Sequence, residues 1–264
     1  MIRHRDRNRR RALPPLLIAV MGGALASCGR VPGQFQILQN QVPDPGCTIS
    51  GMAGAVYRGQ GNLDLSLVGA GADSAYVLFP LVENNLTASP GGQVDTNEIH
   101  VHSFAVDIGT TAQSYLPPNV QTLFNTLNSM PGSADYALLH YSTPWAATVK
   151  SGGGTAATFV NAFPVQLAQR VLATGDIGIS ANSMVVNTRV RVFGTTANGS
   201  IESDPFDYPI YVCAGCLVTQ VLPCPYAQPP ANTGNVCNIA QDNSVDCCSL
   251  NGNLICPAVV GTSP

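Results

Sequence analysis

Apolar and polar positions alternate with a period of two over much of this chain, the mark of strands that bury one face. "NLDLSL" (Asn62–Leu67) sets Leu63, Leu65 and Leu67 against polar neighbours. "SAYVLFPLVEN" (Ser74–Asn84) is a nearly continuous apolar run, as expected of a strand covered on both faces, with Pro80 at an edge or bulge. "NEIHVHSFAVDIG" (Asn97–Gly109) puts Ile99 and Val101 in one phase and Phe104, Val106 and Ile108 in the other, which predicts a bulge near His102-Ser103. "ADYALLHYS" (Ala134–Ser142), "TAATFVNAFPV" (Thr155–Val165), "SMVVNTRVRVFG" (Ser183–Gly194) and "DPFDYPIYVC" (Asp204–Cys213) complete the strand set. Between the last two, Asn198-Gly199 is a hairpin turn signal, because both residues tolerate positive φ.

Helical spacing occurs twice. "PPNVQTLFNTLNSM" (Pro117–Met130) carries Val120, Leu123, Phe124 and Leu127 at i, i+3, i+4 and i+7, and "PVQLAQRVLA" (Pro164–Ala173) carries Leu167, Val171 and Leu172. Two short helices among seven or eight strands predict an all-β fold, an antiparallel Ig-like β-sandwich, with the helices packed on or capping a sheet. The pattern leaves open whether residues 47–212 make one sandwich or two.

The first 27 residues follow a different logic. Six arginines (Arg3, Arg5, Arg7, Arg9, Arg10, Arg11) precede an uncharged apolar run from Ala12 to Ala26, too short for the roughly 20 residues of a spanning helix. That is the layout of a signal peptide. "LASC", Leu25 to Cys28, resembles the lipobox of bacterial lipoproteins. The resemblance implies cleavage after Ser27, lipidation of Cys28 and anchoring in a membrane by several acyl chains. Gly29, where an aspartate would signal retention in the inner membrane, favours the outer one. Residues 28–46, rich in Pro, Gly and Gln without an amphipathic period, are expected to form a flexible tether.

Without residues 1–27, twelve Lys+Arg become six and fifteen Asp+Glu become fourteen, a net charge of −8 with Lys150 the sole lysine. A chain this acidic lacks the basic stripe that neutralises phosphates, which argues against nucleic acid as a partner. An envelope protein or a glycan is the expected partner class.

Nine cysteines are present. Setting aside Cys28 leaves eight: Cys47, Cys213, Cys216, Cys224, Cys237, Cys247, Cys248 and Cys256. An even number in an exported chain predicts disulfides, with four-thiolate zinc as the rival reading. Seven of the eight fall in residues 213–264, a loop-dominated tail with too little apolar patterning to fold without cross-links. Seven cannot pair among themselves, so Cys47 is expected to bond to one of them, with Cys213 and Cys216 favoured. Adjacent Cys247 and Cys248 are expected to take different partners.

Candidate chemistry is sparse. Glu98, His100 and His102 share one face of a strand and form the weak candidate metal site, with His140 on another strand. The rival reading of Glu98, His100 and His102 is a solvated face. Asp242, Asn243 and Asp246 in "QDNSVD" are candidates for Ca²⁺ but lack the ligand count of an EF-hand. "SGGGT" (Ser151–Thr155) reads as a flexible loop and "PYAQPP" (Pro225–Pro230) as Pro-rich turns; neither a nucleophile elbow nor a phosphate loop is present. No catalytic residue and no cofactor are assigned.

The "YVLFPLVENN", "SDPFDYPIYVCAGC" and "QDNSVDCC" segments resemble those of cysteine-rich bacterial outer-membrane lipoproteins. The resemblance implies export and disulfides and brings no activity with it. The expected function is a lipid-anchored envelope protein whose β-sandwich has a structural, adhesion or partner-binding role. The alternative is an exported metal-dependent or carbohydrate-active enzyme using the Glu98, His100 and His102 face.

Overall fold

The structure, a computed structural model, describes residues 33–68, 74–91, 94–109, 115–178, 182–225, 229–251 and 253–257. The signal segment, the "LASC" motif and Cys28 lie outside the described residues.

The strands in chain order are β1 (Phe35–Gln41), β2 (Tyr57–Arg58), β3 (Gly61–Asp64), β4 (Ser74–Leu78), β5 (Pro80–Asn84) and β6 (Ile99–Ile108). Then come β7 (His140–Val149), β8 (Gly154–Ala157), β9 (Val160–Pro164), β10 (Met184–Thr196), β11 (Gly199–Glu202) and β12 (Phe206–Cys213). The last three are β13 (Val218–Pro223), β14 (Val245–Leu250) and β15 (Asn253–Ile255); the helices are α1 (Pro118–Asn128) and α2 (Val165–Ala173). The chain is all-β, with sandwich-like sheets. One sheet has the order β2-β1-β5-β8, and a larger one β3-β12-β10-β6-β7 with β11 paired to β10. β4 pairs β9, and β13-β14-β15 form a small sheet. Two pairings, β12 with β3 and β13 with β14, are parallel, a departure from the purely antiparallel expectation.

One apolar core unites these sheets. Met184, Val186, Val190 and Val192 of β10 are buried together with Phe35, Phe104, Phe124 and Phe163. Each fully buried large apolar side chain contributes about 1.5–3 kcal/mol. The β6 bulge falls at His102: pairing to β7 shifts between Val101 and Ser103, and pairing to β10 shifts between Phe193 and Gly194. That extra residue lets Ile99 and Val101 on one side of it, and Phe104, Val106 and Ile108 on the other, all reach the core. Gly194 sits opposite because any Cβ there would lie 2.7 Å from Ile99 Cγ2. A hairpin joins β10 to β11 in the expected link, one residue earlier than the Asn198-Gly199 signal: Ala197 and Asn198 form the loop, and Gly199 already pairs with Thr196.

Both helices form where the spacing placed them. α1 buries Val120, Phe124 and Leu127. Its first residues have no capping side chain of their own; the Asp176 carboxylate accepts from the Asn119 and Val120 amides at 2.7 and 3.3 Å. A carboxylate there satisfies orphan donors and favours the helix dipole. α2 buries Val165, Leu167, Ala168 and Val171, while Leu172 is more than a third exposed.

Several expectations need correction. "NLDLSL" is a strand only to Asp64 and turns 3₁₀ over Leu65–Leu67, and "TAATFVNAFPV" is two strands, β8 and β9, in different sheets. The segment read as a tether contains β1, a strand paired to β5 along its length, with Phe35 and Ile37 in the core. Its buried polar residues are held by hydrogen bonds: Asn40 Oδ1 accepts from the Phe79 amide, and Gln41 donates to Met52 O and accepts from the Gly51 amide. The run Ser74–Asn84 is two strands, because Phe79 breaks it and Pro80 begins β5 in a different sheet. "ADYALLHYS" opens as a 3₁₀ turn at Tyr136–Leu138, so strand structure starts only at His140. The tail beyond Cys213 is not merely loops: it builds β13–β15, and Leu217, Ala240, Val245 and Cys247 join the core. The described residues, 33–257, form one compact unit.

Candidate functional site

A cleft of about 400 Å³ lies between β1 and β12. Leu38, Gln39 and Asn40 of β1 line one wall, Phe206, Asp207 and Tyr208 of β12 the other, and Tyr57, Arg58 and Gly59 close one end. Tyr57 is largely exposed at the rim. The size falls within the range of ligand-binding pockets.

Behind Tyr208 and Arg58 of the cleft lies a buried network of residues distant in sequence. Tyr208 Oη lies 3.2 Å from Tyr76 Oη, and Tyr76 donates to the Asp242 carboxylate at 3.0 Å. The Asn62 amide donates to Asp242 Oδ1 at 3.0 Å, and Arg58 Nε stands 3.6 Å from Asp242 Oδ2. Asp242 adopts φ 68°, a left-handed conformation that Asp and Asn tolerate better than most residues. With its side chain only 5% exposed, burial pushes the Asp242 carboxyl above the usual carboxylate range, against the Asn62 amide, Arg58 and Tyr76, which favour ionisation. Burial likewise pushes the Tyr208 hydroxyl up to about 12, so it stays protonated at neutral pH. At the wall, Arg189 makes a two-pronged ion pair with Asp207 at 2.7 and 2.9 Å. That hydrogen bonding holds the Asp207 carboxyl below its ordinary range.

The residues singled out in the sequence lie elsewhere. His100 and His102 are exposed on the outer face of β6, His102 on the bulge. His100 Nε2 is 3.7 Å from Glu98 Oε1, while His102 Nδ1 meets Ser103 Oγ at 3.0 Å. Glu98, His100 and His102 do not bring three ligand atoms together. His140 is on β7, with Nδ1 2.8 Å from Asp107 Oδ1, Nε2 2.6 Å from Asn128 Oδ1, and its ring stacked on Tyr136 at 4.2 Å. It ties α1 to the sheet. The Ca²⁺ candidates diverge as well: Asp242 accepts from Tyr76 and the Asn62 amide, Asn243 accepts from Arg58, and Asp246 accepts from Asn232 and Thr219.

Among the described residues, one group of three has ligand atoms within 4.8 Å of one another: Asp64, Cys213 and Cys216. Both sulfurs are committed to a disulfide, and the buried Asp64 carboxylate accepts from the Ser66, Gly215 and Leu217 amides. This carboxylate braces the Cys213–Cys216 loop. The other bridges are Cys47–Cys237, Cys224–Cys248 and Cys247–Cys256. Cys47 thus joins the tail, as parity required, but through Cys237 rather than Cys213 or Cys216. Cys247 and Cys248 take different partners.

The cleft itself was not anticipated. Alternation in "YPIYVC" marks Tyr208 as a core residue, and nothing local to Tyr57-Arg58 reveals that β1 and β12 flank it. One signal was available: Asp242 lies in a polar turn where Asp accepts positive φ.

Compared with known proteins, the chain matches no family model, no curated protein and no solved structure.

Proposed function

We propose that this chain is a lipid-anchored lipoprotein of the bacterial cell envelope, attached through Cys28 to the outer membrane, whose β-domain binds a partner rather than catalysing a reaction. The observation that carries the reading is the pairing of all eight cysteines beyond Cys28 into four disulfides. Such bridges persist in oxidising compartments and are rare where thiols are kept reduced. The basic and apolar leader with "LASC" supplies the route, and Cys28 stands outside the disulfide set. No helix among the described residues is long and apolar enough to cross a membrane, so a lipid on Cys28 would provide the attachment. A binding role is supported by the cleft, whose flanking charges are matched in pairs, Arg58 with Asp242 and Arg189 with Asp207.

The test is metabolic labelling with a clickable palmitate analogue in a bacterial host. The wild-type chain should carry label in the membrane fraction, and Cys28→Ala should lose it and accumulate as precursor. Label retained by Cys28→Ala would overturn the anchor.

A further inference from the structure

The four disulfides are not equivalent. Cys47–Cys237 joins residues 190 apart, Cys224–Cys248 24 apart and Cys247–Cys256 9 apart, whereas Cys213–Cys216 spans only 3. In the chain-entropy account the restraint on the unfolded chain shrinks with loop length, so this bond restrains it least. It is also the accessible one. Cys216 is exposed, while each of the other seven bridged cysteines is buried or half-buried.

The loop around Cys216 keeps its shape by other means. Cys213 ends β12 opposite Asp64 in the parallel β12–β3 pairing and is only 5% exposed. Asp64 is fully buried, and its carboxylate accepts from the Gly215 amide at 2.7 Å and the Leu217 amide at 2.8 Å. Those two residues stand on either side of Cys216. Gly215 turns the chain at φ 86°, and Leu217 is buried in the core. None of these anchors involves sulfur, so the two sulfurs stay adjacent when the bond between them opens. Leu63 O lies 3.4 Å from Cys213 Sγ, an acceptor for the thiol that opening creates.

We propose that Cys213–Cys216 is an exchangeable bond, through which the domain captures a partner protein by a free cysteine of that partner. The proposal rests on the binding role given above and adds a covalent mode to it. The partner's thiolate attacks Cys216 Sγ, at the accessible end of the bond. A disulfide forms between the partner and Cys216 as the Cys213–Cys216 bond breaks. Cys213 Sγ leaves with the electron pair and takes up the proton that the incoming thiol released. One disulfide replaces another, so no oxidant or reductant is consumed. Release runs the steps in reverse: the Cys213 thiolate attacks Cys216 Sγ, and the partner departs as its thiol. Because Gly215 and Leu217 hold Cys216 beside Cys213, this closure is intramolecular and fast. The capture is therefore reversible.

The test incubates the intact chain, purified in detergent without reductant, with either reduced glutathione or a short peptide holding a single cysteine. Samples are quenched in acid, alkylated and peptide-mapped. Each probe should give a mixed disulfide at Cys216, with Cys213 as the free thiol and the other three bridges intact. Removing the excess thiol should restore Cys213–Cys216 without added oxidant. Asp64→Ala should slow that closure at least about tenfold. Cys213→Ser, loaded from glutathione disulfide, should hold its adduct through the same removal. No adduct, an adduct at Cys213, or earlier opening of another bridge would overturn the proposal. So would a closure rate that Asp64→Ala leaves unchanged; should that variant fail to fold, the site of the wild-type adduct decides. An adduct with glutathione and none with the peptide would overturn a protein as the partner. None of these outcomes reads acylation of Cys28, so failure here leaves the envelope reading standing.

Discussion

Cys47 is bonded to Cys237 across 190 residues, with Cα atoms 5.4 Å apart. The bond joins the loop after β1 to the turn-rich segment before β14. Beside it, the tail is also held by the Gln241 side chain. That amide accepts from the Val77 N–H at 2.9 Å and donates to Val77 O at 3.2 Å, so it pairs with β4 much as a strand would.

Replacing Cys47 with Ser should expose one alkylatable thiol, at Cys237. In the chain-entropy account a loop this long stabilises by about 5 kcal/mol, and removal of native bridges typically costs about 2–5 kcal/mol. At about 2–4 °C per kcal/mol for a domain of this size, the melting temperature should fall by about 10 °C. Calorimetry with thiol counting checks both. A fall of a degree or less would show that the non-covalent contacts hold the tail without the bond.

Asp242 gives a pH signature. Burial raises its folded carboxyl above the ordinary 3.8, so the native state keeps a proton that the unfolded chain has released. Its contribution to stability is therefore present below 3.8 and lost as pH rises through the raised value. Asp207, held down by Arg189, runs the other way: its contribution is present at higher pH and lost on acidification. Asp242→Asn removes only the first, and Asn tolerates φ 68°. The melting temperature of wild type minus that of the variant should decline as pH rises above the ordinary carboxyl value of 3.8. A difference that grows with pH would mean that the ion pair with Arg58 outweighs burial.

Gly61 makes room for the buried Tyr76. A Cβ there would lie 2.3–2.7 Å from the Tyr76 ring and hydroxyl, and Tyr76 is fully buried. Gly61→Ala should displace Tyr76 from Asp242 and cost about 1–3 kcal/mol, as overpacking does. Adding Tyr76→Phe should recover little, because the ring as well as the hydroxyl is in the way. Denaturant midpoints of the two variants measure this.

His140→Phe should keep the stacking on Tyr136 and lose the links to Asp107 and Asn128. The expected cost is about 1–3 kcal/mol, with amide exchange accelerating first in α1. Uniform acceleration across the domain would argue against His140 as the clasp of that helix.

What could be read from the sequence was whatever hydropathy period and parity encode. The phase slip at His102, the hairpin between β10 and β11, both helices and the attachment of Cys47 to the tail were all legible. β1 was not, because Asn40 and Gln41 are buried by hydrogen bonds rather than by apolarity, so the segment looks like linker. Cys237 as the partner of Cys47 depends on how the tail docks through Asn238 and Gln241, which no local pattern shows. The cleft was hidden for the same reason. Its walls lie more than 160 residues apart in sequence, and its defining feature is where β2 and β3 stop pairing.

The most direct test of the central claim is the intact mass of the chain extracted from bacterial membranes without reductant. An envelope lipoprotein predicts a mass beginning at Cys28, increased by its acyl groups, and a gain of about 8 Da on reduction as four bridges take up two hydrogens each. An unacylated chain beginning at Met1, with no gain on reduction, would contradict it.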